Sequence, residues 1–169
     1  MKKSEKLNRE LNWISEMVYA PCGFQISDIE IEKESKAYHA CQFRMNDQNM
    51  VHRKAKITPK KVGQFVTLWK RGVSGETEPY CDTDEIDFIL ISVINDKRIG
   101  QFIFPKAALI QNKILTTNQR QGKRGFRVYP SWDDPQSKQA VKTQAWQIHY
   151  FIEFDIHQDL KIVKRLFQE

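Results

Sequence analysis

Two clusters of carboxylates are the side chains best equipped for chemistry: Asp28, Glu30, Glu32 and Glu34, then Asp82, Asp84, Glu85 and Asp87. Hard divalent cations prefer carboxylate oxygens, and paired carboxylates beside a phosphate suit metal-assisted hydrolysis. Glu34 and Asp87 are the candidate ligands for Mg²⁺ or another divalent cation. The competing reading makes both clusters solvated turns, or local partners of a basic face. His39, His52, His149 and His157 have no metal-ligand spacing to one another. There is no Ser-His-Asp order, phosphate-binding glycine loop or zinc pattern, so no residue receives a catalytic role.

The stronger signal is the arrangement of positive charge. Arg53 to Arg71 holds seven basic residues and Lys97 to Trp132 holds eight, with no Asp or Glu in either stretch. The remaining 12 basic residues face all 21 acidic ones, a balance of −9, so the net charge of +6 conceals a strongly polarised chain. A polarised basic surface attracts polyanions, and lysine and arginine bind DNA or RNA by displacing counterions condensed on phosphates. Lys54, Lys56, Lys60, Lys61, Lys70 and Arg71 are expected on one polar surface. Lys123, Arg124 and Arg127 flank a glycine-rich turn that would bring backbone N–H groups close to a phosphate. Tyr129 and Trp132 are interleaved with these charges, and exposed aromatics stack on bases. Trp69, in an alternating strand beside Phe65, is expected in the core.

These groups need elements to hold them. Leu7, Leu11, Ile14 and Val18 recur at helical spacing and predict an amphipathic helix over Ser4 to Tyr19, ended by Pro21-Cys22-Gly23. Phe24 to Phe43 reads as two strands around an acidic turn. Met50 to Ile57 and Gly63 to Trp69 read as a hairpin across Thr58-Pro59-Lys60-Lys61, with Val51, Ala55 and Ile57 on one face and His52, Lys54 and Lys56 on the other. Phe88 to Ile94 is apolar on both faces, the pattern of a central strand. Pro105 opens a short helix, Gly125 to Tyr129 is a short strand, Asp134-Pro135 starts a helix running to about Tyr150, and a last helix covers about Asp159 to Phe167. The expected architecture is α+β: one domain over residues 1–169, with a mixed central sheet flanked by N- and C-terminal helices.

The blocks AKITPKKVGQFVTLWKR, GQFIFPKAALI, GKRGFRVYPSWD and KTQAWQIHYF, in this order between about Glu34 and Phe154, resemble the MepB family, bacterial proteins associated with an efflux operon. The resemblance implies a fold related to PD-(D/E)XK restriction endonucleases, with nucleic-acid and cation binding. Nucleases of that class need an acid on one strand and a Glu-x-Lys pair on the next. Glu34-Ser35-Lys36 is the one literal Glu-x-Lys, and its nearest preceding acids, Glu32 and Glu30, share its segment. The strand after Asp87 offers Gln101-Phe102-Ile103, with no carboxylate. The motif does not transfer intact.

The expectation is therefore a nucleic-acid-binding protein of nuclease-like fold whose catalysis has been lost. The alternatives are a divalent-metal-dependent nuclease and an interaction module for an acidic protein. No apolar run reaches membrane-span length and no helix pairs a basic face with a strongly apolar one, which argues against a membrane partner. Cys22, Cys41 and Cys81 are odd in number and widely spaced, as expected of reduced thiols in a cytoplasm.

Overall fold

The computed structural model describes residues 7–155 and 158–168. The start of the expected first helix, Ser4 to Lys6, and His157 lie outside the described residues. Helix α1 (Arg9–Ile14) continues through a π-helical segment, Ser15–Tyr19, and a 3₁₀ turn, Ala20–Cys22, to Gly23 in the left-handed region. The apolar stripe does what its spacing predicts: Leu11, Ile14 and Val18 are buried. Strands β1 (Ile26–Ile31), β2 (Cys41–Met45) and β3 (Gln48–Lys54) follow. Asn46 and Asp47 turn β2 into β3 with φ of 55° and 59°. A two-residue hairpin loop of type I′ has positive φ at both positions, and Asn and Asp tolerate it.

The chain then passes through β4 (Lys56–Ile57), β5 (Gln64–Thr67), β6 (Lys70–Arg71) and β7 (Thr77–Glu78) before β8 (Phe88–Asn95) and β9 (Arg98–Pro105). Helix α2 (Lys106–Gln111), β10 (Gly125–Val128), α3 (Lys138–Gln147), β11 (Phe151–Phe154) and α4 (Leu160–Leu166) complete it. The six-stranded sheet has the order β1-β2-β3-β8-β9-β11. It is mixed: β3 and β8 run parallel, and every other pair is antiparallel. Parallel neighbours need a long connection. Here that connection carries the basic hairpin and the second acidic cluster.

Strand β8 is buried on both sides, which explains its unbroken apolar run. Phe88 and Leu90 face α1 and α4, among Tyr19, Ile103, Val163 and Leu166. Ile89, Ile91 and Val93 face the other core, with Val66, Leu68, Phe104, Leu109 and Val128. Burying each such side chain contributes about 1.5–3 kcal/mol. At the far end of the first core, β3, β8 and β9 each contribute one polar residue. Ser92 Oγ lies 2.8 Å from His52 Nε2, Gln101 Nε2 donates to Ser92 Oγ at 3.1 Å, and the Tyr19 hydroxyl donates to Gln101 Oε1. His52 Nδ1 lies 3.2 Å from the His39 carbonyl, which places the ring proton on Nδ1. This serine–histidine contact is fully buried and closed to a substrate. Its partners make it a satisfied polar row in the core.

Three expectations change. His52 does not share a solvent face with Lys54 and Lys56: β3 is an interior strand whose covered face holds His52 fully buried, and Lys56 lies beyond Ala55 in a second sheet. The Asp134 side chain is engaged by Gln136, and Ser137 Oγ caps α3 instead, accepting the Ala140 N–H at 3.2 Å. Phe151–Phe154 forms an edge strand against β9, in a stretch between the two C-terminal helices to which the sequence reading gave no element.

Candidate nucleic-acid interface

The second sheet has the order β10-β5-β4. Its inner face is set by Val66, Phe126 and Val128, which are buried. Strand alternation then turns the next residues outward. Register places Lys56 opposite Phe65 and Phe65 opposite Arg127, so the three form one row on the outer face. The Lys56 ammonium sits 4.8 Å above the centre of the Tyr38 ring, whose edge meets Phe65. Lys60 and Lys61 are exposed at the hairpin turn, and Lys54 is half-buried at the end of β3.

Beside this sheet a groove runs between the loop before β5, the end of β10 and the start of α3. Two cavities of about 320 and 350 Å³ share Arg127, Tyr129, Ser137 and Ala140. Lys123 lines the first and Lys61 the second, and no carboxylate lines either. Gly63 has φ of 81°, and a Cβ there would come within 2.6 Å of the Tyr129 ring, so only glycine lets the hairpin close on this groove. Arg127 donates from Nη2 to Thr58 Oγ1, while its Nη1 is buried without a partner. Arg124 binds the Thr77 carbonyl at 3.0 Å, tying the basic loop to β7.

Lys70 and Arg71 are not on this surface. Lys70 Nζ lies 2.7 Å from Asp84 and 3.5 Å from Glu78. Burial disfavours its charge, but the hydrogen bond and negative charge of Asp84 outweigh burial and raise its pKa. Arg71 grips Glu34 through Nη2 at 2.7 Å and Nε at 3.0 Å, and this hydrogen bonding holds the Glu34 carboxyl below its usual range. Trp132 is also elsewhere. Its edge-on partner is Phe151 and its face is covered by the Arg98 guanidinium at 4.9 Å, itself fixed by Glu153. Tyr129 is buried along the groove floor rather than presented for stacking.

Lys70 and Arg71 line a different groove. Cavities of about 690 and 440 Å³ share Glu30, Gln42, Lys70 and Tyr80. Folding thus joins the two acidic clusters, with Glu32 and Glu34 on one side and Asp84 and Glu85 on the other. Trp69 forms part of its wall, half-buried with the Arg71 guanidinium 5.4 Å above its ring, and so is not a core residue. Sequence spacing pointed to Asp87, but Asp84 reaches the groove. Asp87 instead accepts the Asn49 N–H at 2.8 Å, away from Glu34. Among the described residues, no three His, Cys, Asp or Glu side chains gather to hold a metal ion.

The described thiols Cys22, Cys41 and Cys81 are unpaired. Among the described residues, no helix is long and apolar enough to cross a membrane.

A family model described as MepB-like matches residues 32–153, which include the second sheet, the start of α3, and Lys70 with Asp84. A solved structure titled "Crystal Structure of MepB" superposes with a TM-score of 0.75 at 37% identity, over 77% of this chain and 87% of that one. No curated protein matches the sequence significantly. With more than half its length matched by the family model, this chain belongs to the MepB-like family.

Proposed function

We propose that this protein binds nucleic acid in the cytoplasm, contacting phosphates through the outer face of the second sheet and the groove beside it. The observation that carries the reading is a separation of charge. Among the described residues, Lys56, Lys61, Lys123 and Arg127 have no ion-pair partner, whereas Lys70, Arg71 and Arg98 are matched by Asp84, Glu34 and Glu153. Unmatched cations beside cavities that no carboxylate lines are the electrostatic footprint of a polyanion site. Phe65 and Tyr38, lying among them, add aromatic surface. The mixed sheet with helices α1 and α4 against one face is compatible with a PD-(D/E)XK-like core. In this reading the nuclease chemistry of such a core is lost, because Glu34 is committed to Arg71 and Asp87 to the Asn49 amide.

The test is anisotropy of labelled DNA and RNA oligonucleotides titrated at several salt concentrations. Affinity should fall by about 0.9 log units per log unit of salt for each duplex phosphate contacted, and by about 0.7 for single strands. A flat salt response, or no binding at low salt, defeats the proposal.

A further inference from the structure

Among the described residues, Phe65 is the one phenylalanine of ten that belongs to neither apolar core. Gln64, Val66 and Leu68 turn inward and are buried. Strand alternation therefore puts Phe65 on the outer face of the second sheet, where it is half-buried. A single apolar side chain at a surface is ordinary. What sets Phe65 apart is its surroundings.

Register puts Lys56 on one side of Phe65 and Arg127 on the other, each one strand spacing, roughly 5 Å, away. Tyr38 meets the Phe65 ring edge-on at 6.4 Å between centres, and its own face holds the Lys56 ammonium at 4.8 Å. The cation is thus fixed beside the ring. Toward β10 the Phe65 ring reaches Gly125, where a Cβ would come within 2.8 Å of it. Glycine at this position leaves the ring room to settle against the strand. None of β4, β5 or β10 carries a carboxylate. The face offers a ring to a flat apolar surface, and cations to the negative charge attached to that surface. A nucleobase on its phosphate backbone is that combination. An acidic peptide would match the charge but has no need of the ring. In a duplex the neighbouring bases cover both faces of each base, so a ring on a sheet surface reaches only an unpaired one.

We infer that the outer face of the second sheet takes a single strand, with one base stacked on Phe65 and Lys56 on the adjoining phosphate. Arg127, already bonded to Thr58, adds charge on the other side. The inference rests on the nucleic-acid reading above and narrows its ligand from nucleic acid in general to an unpaired strand.

The full chain is titrated with labelled oligonucleotides of equal length: a thymidine homopolymer, the same backbone without bases, and the homopolymer paired with its complement. The first two carry the same phosphate charge, so a difference between them reports contact with bases. The homopolymer should bind most tightly. The abasic strand should bind about 5- to 10-fold more weakly, the low end of base stacking, since the ring is partly covered. Phe65→Leu keeps an apolar side chain against Gly125 but removes the ring. It should weaken the homopolymer by a similar factor while leaving the abasic strand and the salt slope unchanged, and Phe65→Tyr should restore binding. The abasic comparison uses the unmodified protein, so it decides alone if Phe65→Leu fails to fold. Equal affinity for the homopolymer and the abasic strand overturns the stacking surface, as does undiminished homopolymer binding in Phe65→Leu or tighter binding of the duplex. In each of these cases salt-dependent binding leaves the nucleic-acid reading intact. No binding of any of the three at low salt overturns both.

Discussion

Arg53 Nη2 lies 2.8 Å from the Glu32 carboxylate, and the arginine side chain is wholly buried while the glutamate is one-fifth exposed. The distance is that of an ion pair, but Nη2 is not aligned on the oxygen as a hydrogen bond, and Nε has no partner. Only Nη1 makes a regular bond, to the His52 carbonyl at 2.9 Å. Arg53 heads the first acid-free stretch by type, yet it contributes nothing to the surface. It links β3 to the acid-lined groove instead, with Glu32 also receiving Gln42 at 2.9 Å.

Removing one partner from such a pair leaves a buried charge unmatched. Glu32→Ala should destabilise the protein by about 3 kcal/mol. Glu32→Leu combined with Arg53→Met should recover most of that loss, because an apolar pair of similar volume needs no compensation. Urea denaturation of the three proteins checks both statements. A single-variant loss near zero would mean that water reaches Arg53.

His52 gives the fold an acid limit. Burial pushes its pKa down from 6.5 to about 4, since charging the ring inside the core removes its hydration. A base whose folded pKa is depressed stabilises the fold fully above its unfolded pKa. That contribution is lost as pH falls from 6.5 toward 4. The difference is worth on the order of 3 kcal/mol. His52→Gln should fold less stably at neutral pH, yet show a shallower loss of stability across this window. Parallel stability-against-pH curves for the two proteins would show that the histidine is not responsible.

The sorting of cations makes a paired prediction about binding. Lys56→Ala with Lys61→Ala should weaken oligonucleotide binding and reduce the salt slope by up to about two contacts. Lys70→Ala with Arg71→Ala should leave the slope nearly unchanged, because those charges are already met by Asp84 and Glu34. Neither pair should shift stability by much more than about 0.5–1 kcal/mol, as these are surface or rim positions. Equal effects from the two pairs would show that the acid-lined groove contacts the ligand as well.

Cleavage should be absent. A plasmid-nicking assay with Mg²⁺ or Mn²⁺ is expected to stay within a few-fold of background, because Glu34 and Asp87 occupy separate places and are engaged by Arg71 and Asn49. If nicking appears, Asp84→Asn should be examined first, since Asp84 and Lys70 meet in the groove that the two acidic clusters share. Activity lost in that variant would revive the nuclease alternative.

Several elements were legible in the sequence because local rules decide them. Phe88 to Ile94 is apolar at every position but Ser92, and such a run is stable only between two cores. The last helix was read to within a residue of its start, where Asp159 caps α4 by accepting the Lys161 N–H at 2.9 Å. The return of Gly63 to Trp69 against Lys56 and Ile57 followed from the turn residues between them. Polarised charge was also visible, because composition alone records which signs share a segment.

What the sequence could not decide is where each charge goes. Burial depends on what packs from distant segments: Arg53 disappears beneath Glu32, and Lys70 and Arg71 are neutralised by acids 14 and 37 residues away. The same holds for the aromatics, since Trp69 became a groove wall and Trp132 was covered by Arg98. The groove beside the second sheet is likewise a tertiary product, because Lys61, Lys123, Arg127 and the first turn of α3 line it only when the β5–β10 pairing forms. Residue type sets what a side chain can do, but charge balance at a point in space is a property of neighbours, and neighbours are chosen by the fold.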